Sequence, residues 1–93
     1  MGKPAIRRPR RRERVLESRI SDEVILFDVD GGTYYGLNEV GARLWQLCDG
    51  SRELADLVAV IEADFDAPTA TVTHDVAELL VELASEKLIV EGA

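Results

Sequence analysis

One histidine, His74, and one cysteine, Cys48, stand alone of their kinds in the chain. Nucleophilic or acid–base catalysis needs a nucleophile and a base oriented by a third group, and His74 has only acidic neighbours and no second histidine. Its expected place is solvent. Cys48 follows an apolar helical stripe and reads as a small buried hydrophobe rather than a nucleophile. The pair also falls short of the three or four ligands a zinc site takes. The "DGG" at residues 30–32 has neither the helix start nor the lysine that a phosphate loop requires. These residues call for no catalytic centre, no metal and no cofactor. The chemistry left to the chain is binding.

Binding surfaces are set by elements. "VLESRIS" and "EVILFD" read as two strands joined by a tight turn, and "DVDGG" turns the chain into a third strand, Thr33 to Leu37. The outer strands of this antiparallel meander are both edges. Edge strands are commonly blunted by charge or proline, as Glu17 and Arg19 do in the first; the third, with Thr33, Tyr34, Tyr35, Gly36 and Leu37, has neither. Three helices follow. Asn38 is a suitable N-cap for the first, which carries Val40, Leu44, Leu47 and Trp45, the last expected as a core anchor. Ser51 is the expected cap of the second, with Leu54, Leu57, Val58 and Ile61 on one face. Pro68 opens a third that runs to about Glu86, and Leu88 to Val90 form a short extended tail.

The third helix is apolar over too wide an arc. At 100° per residue from Val72, its core face holds Val76, Leu79, Leu80 and Leu83, and neutral residues continue through Thr73, Ala77, Val81 and Ala84 to about 180°. An open strand beside a broad apolar helix is the arrangement that receives an added strand, with main-chain bonds giving affinity and side-chain pockets selectivity. The candidate groove is therefore Thr33, Tyr34, Tyr35, Gly36 and Leu37 on the strand side, with Thr73, Ala77, Leu80, Val81 and Ala84 on the helix side. The bland alternative packs the surplus arc on the sheet or the first helix. A weak homodimer through the same surfaces is a further reading, beside a monomer.

Charge divides the 93 residues into two parts. Residues 1–14 hold seven basic side chains against one acidic; residues 15–93 hold four against 17. The first part, with Pro4 and Pro9, is expected to be a flexible basic arm and the second a single α+β domain of winged-helix-like form, a three-stranded antiparallel sheet followed by three helices. No apolar run is long enough for a membrane span, no secretory signal is evident, and the lone cysteine suits a reducing compartment, so a soluble cytoplasmic protein is expected.

The ordered string "LFDVDGGTYYGLNEVGARLWQLCDGSRELADLV" followed by "DFDAPTATVTHDVAELLVELASEKLIV" resembles the PqqD family over Val15 to Val90. The resemblance implies a non-catalytic recognition module for ribosomally made, modified peptides. Such a module holds the leader segment of a precursor peptide as an added strand against the third strand and presents it to a modifying enzyme, either a radical S-adenosylmethionine enzyme or a lasso-peptide protease and cyclase. The rival class is a winged-helix nucleic-acid binder that uses the arginine-rich arm. Asp75, Glu78, Glu82 and Glu86 on the third helix oppose that reading, because a recognition helix needs cations to neutralise phosphates.

Overall fold

The computed structural model describes residues 6–92. Five strands, β1 (Pro9–Arg11), β2 (Val15–Ile20), β3 (Glu23–Asp28), β4 (Tyr34–Leu37) and β5 (Ile89–Glu91), accompany three helices, α1 (Glu39–Leu47), α2 (Leu54–Phe65) and α3 (Thr69–Ser85). The expected meander is present in the order β2-β3-β4, and both outer strands are edges. Leu26 pairs with Tyr35 and Phe27 with Tyr34. Because side chains alternate along a strand, this register turns Val24, Leu26, Tyr35 and Leu37 toward the helices and Ile25, Phe27, Tyr34 and Gly36 away from them. The Phe27 and Tyr34 rings lie 4.7 Å apart on the outward face, where Leu16 and Ile20 of β2 are also exposed.

Each helix is fixed at its ends by short-range chemistry. Asn38 Oδ1 accepts from the Gly41 N–H at 2.9 Å, satisfying one of the free donors of the first turn of α1. The cap of α2 is Glu53, not the expected Ser51: the Glu53 N–H donates to Asp56 Oδ2 at 3.0 Å, while Ser51 bonds Asp49 in the preceding turn. Asp66, in the left-handed region at φ 50°, ends α2, and Pro68 precedes α3. The core lies between the inward face of the sheet and the three helices. Its largest fully buried side chains include Trp45, Leu26, Leu44, Leu57, Ile61, Leu83 and Leu88, so Trp45 is the anchor expected of it.

Residues 1–5 of the arm lie outside the described residues, and from Arg7 onward the arm lies against the domain. Pro9 to Arg11 form β1, which pairs antiparallel with β5, so a second, two-stranded sheet joins the two ends of the described chain. Its arginines find partners on the acidic domain. Arg11 donates to the Trp45 and Gln46 carbonyls at the end of α1 at 3.0 and 2.7 Å, where the helix runs out of its own N–H donors and the Trp45 carbonyl also accepts from the Cys48 N–H. Arg7 and Arg8 bond Glu53, Arg12 bonds Asp28, and Arg14 bonds Asp30. A run of like charge orders when the surface beneath it carries the opposite sign.

Candidate functional site

β4 is short because the Asp28 to Thr33 turn closes just before it. The Asp28 N–H donates to the Thr33 carbonyl at 2.9 Å, so Thr33 belongs to the turn rather than to the strand. Among the described residues, β4 pairs with β3 alone, and its other edge is unpartnered. Tyr34 is 72% exposed on the outward face, Gly36 is exposed beside it, and Leu37 is buried in the core. Tyr35 points inward and crosses to the helix layer, where its hydroxyl donates to Glu82 Oε1 on α3 at 3.2 Å. Burial and the charges of Glu82 and Glu86 raise its phenol pKa above the usual value.

That bond locates the wall of α3 that faces β4, and it is not the expected one. At 100° per residue from Val72, Glu82 lies at about 280°, with Asp75, Glu86 and Leu79 at about 300°, 320° and 340°. Asp75, Val76 and Leu79 line a cavity of about 260 Å³ together with Asn38, Val40, Gly41 and Leu44, just past the end of β4. The residues Thr73, Ala77, Val81 and Ala84 share the opposite flank. Thr73 lines a separate cavity of about 440 Å³ with Leu54, Ala55, Val58, Ala59 and Glu62 of α2, and its hydroxyl donates to the Thr69 carbonyl at 2.8 Å. Ala77, Val81 and Ala84 are half-buried, and Leu80 is buried in the core. Of the candidate groove, Tyr34, Tyr35 and Gly36 lie along the open strand, Leu37 is buried, Thr33 is in the turn, Leu80 is in the core, and Thr73, Ala77, Val81 and Ala84 lie on the flank of α3 away from Glu82. The apolar arc is wide because α3 packs on α2 as well as beneath the sheet, which is the bland reading with α2 in place of the first helix.

The open edge of β4, the cavity beyond it and the Asp75, Leu79, Glu82 flank of α3 adjoin one another. Sequence reasoning missed this flank because it followed apolarity. The usable signal was the alternation of Tyr34 and Tyr35: an inward Tyr35 needs a polar partner for its hydroxyl, and the polar side of α3 supplies it.

The other candidate chemical groups have structural roles. Cys48 is fully buried, and desolvation pushes its thiol up to about 12, so it stays protonated near neutral pH. His74 is exposed and sits 3.1 Å from Glu78, one turn along α3. Asp28, buried at 7% exposure, is held below the ordinary carboxylate range by the Arg12 guanidinium and by backbone N–H donors. Among the described residues no group of His, Cys, Asp and Glu is placed to hold a metal ion, and no helix is long and apolar enough to cross a membrane.

Known proteins share both the sequence pattern and the fold. The model of the family described as coenzyme PQQ synthesis protein D (PqqD) matches residues 23–89. A protein of Rhodopseudomonas palustris (strain TIE-1) described as PqqA binding protein is 30% identical over 55 residues, which is 59% of this chain and 54% of that protein. The match thus spans about half of that relative's length. Among solved structures, TbiB1 in complex with the TbiA(beta) leader peptide superposes with a TM-score of 0.76 at 32% identity, covering 86% of this chain and 93% of that one. A lasso peptide synthetase B1 complexed with the leader peptide superposes with the same TM-score at 19% identity over 89% and 98% of the two chains, which is a likeness of fold. With the family pattern running from the start of β3 to the start of β5, well over half its length, the chain belongs to the PqqD family.

Proposed function

We propose that this protein is a non-catalytic recognition module that takes the leader segment of a ribosomally made precursor peptide as a strand along the open edge of β4 and presents it to a separate modifying enzyme. The observation that carries the reading is that unpartnered edge, uncharged along Tyr34–Leu37 and adjoined by a cavity and by the Tyr35–Glu82 contact. A row of free main-chain donors and acceptors supplies affinity to any extended peptide, and the adjoining cavity is of a size to take one side chain of it. Two proteins solved in complex with leader peptides share the fold, and a third relative is described as a PqqA binding protein. The class of the partner enzyme, radical S-adenosylmethionine enzyme or protease and cyclase, follows from the pathway rather than from this groove.

The nucleic-acid reading has no comparable support. Arg7, Arg8, Arg12 and Arg14 of the arm pair with Glu53, Asp28 and Asp30, and the open flank of α3 is acidic.

N-methylation of single peptide bonds along the leader of the precursor encoded nearest the gene tests the docking mode. A strand gives alternate N–H groups to one neighbour, so methyl groups at every second position should abolish binding while those between are tolerated. Uniform tolerance along the leader would overturn the added-strand mode.

A further inference from the structure

We propose that the groove selects its strand by charge, taking peptides with Lys or Arg at alternate positions on the side that faces α3. The proposal rests on the reading of β4 as the docking edge. The edge and the cavity fix where a strand lies; the side chains around them fix which strand.

β4 itself contributes no charge, from Tyr34 to Leu37. The cavity at its end is lined by Val40, Leu44, Val76 and Leu79, with Asp75 as its charged member. Further along α3, Glu82 accepts from Tyr35, and Glu86 lies close enough to act on the same phenol. Neither Lys nor Arg lines this cavity. An added strand turns every second side chain toward α3, about 6.6 Å apart. Glu82 and Glu86 are four residues apart, about 6 Å along the helix. Two basic side chains at i and i+2 therefore match two successive carboxylates in spacing, and a further one nearer the cavity meets Asp75, its aliphatic stem over Leu79 and Val40. An acidic peptide meets like charge at each of these positions. So does a second copy of this chain, whose β4 brings its own acidic α3 with it. A basic strand is the occupant that the electrostatics favour.

The test uses the full chain and an mRNA-displayed library of random twelve-residue peptides, selected in parallel against the protein and its Asp75→Asn/Glu82→Gln/Glu86→Gln variant. All three positions are exposed, and an unchanged circular dichroism spectrum verifies the variant's fold. Winners on the unaltered protein are expected to carry Lys or Arg at every second position. They should bind the variant roughly tenfold more weakly, as three partly screened pairs allow, and should weaken several-fold between low and high salt. Winners that shift the amides of β4 yet show no basic bias, or bind the variant equally well, overturn charge selection and leave the docking edge standing. Winners that shift amides elsewhere, or no enrichment at all, overturn the docking edge and this proposal with it.

Discussion

At Tyr35 the backbone and the side chain serve different neighbours. The backbone offers one edge to β3, while the phenol reaches α3 and Glu82. Its pKa is raised first by burial and then by Glu82 and Glu86. Because the folded value exceeds the unfolded one, this phenol's contribution is complete below about pH 10 and is lost as pH rises through the folded value. In a Tyr34→Phe background, tyrosinate absorbance should therefore appear above the ordinary range, and Glu82→Gln should bring it back toward that range; an unchanged titration in the variant would remove the contact from the account. Asp28 works with the opposite sign. Arg12 and backbone donors depress its pKa, so its contribution is present above the ordinary carboxylate value and is lost as pH falls through the folded one. Arg12→Ala should lower the thermal midpoint at neutral pH and shrink the loss seen between about pH 5 and pH 3. At Val81, on the flank of α3 away from β4, substitution by Glu should leave leader affinity within about twofold, as expected for a residue outside the groove.

Among the elements, α1 and β1 make the sharpest claims. Asn38 closes the first turn of α1, so Asn38→Ala should destabilise by about 1 kcal/mol in a denaturant titration. Deleting residues 1–14 removes the partner of β5, the Arg11 bonds to the end of α1 and the Arg12 partner of Asp28. The truncated chain should unfold at a distinctly lower temperature, whereas loss of a free tail would leave the midpoint in place. Much of this layer was legible in the sequence. Period-two alternation located β2 to β4, Asn38 and Pro68 marked the starts of α1 and α3, and Trp45 sits in the core as its spacing implied. What local pattern could not carry was long-range. β1 has three residues rich in arginine and becomes a strand only because Ile89–Glu91 lies alongside and carboxylates lie beneath. The facing of α3 likewise depends on α2, whose contact absorbs the arc that looked surplus.

For the molecule as a whole, the two sheets divide the work. The β1 and β5 pair joins the two ends of the described residues, and the larger sheet leaves β4 open beside the acidic flank of α3. A binding module needs this division, because an open edge is useful only on a scaffold that does not itself close over it. The basic arm folds back on the acidic domain through Arg7, Arg12 and Arg14. On the proposed function, a leader strand lies between β4 and the Asp75, Leu79, Glu82 flank. Amide shifts of the isotope-labelled full chain, followed by NMR during titration with the leader of the precursor encoded nearest its gene, test this most directly. Saturable shifts are expected in Tyr34–Leu37, Asn38 to Gly41 and the Asp75, Leu79 and Glu82 positions, with Thr73, Ala77 and Val81 little moved. Saturable binding whose shifts fall on the Thr73, Ala77 and Val81 flank, or that leaves β4 unmoved, would contradict it.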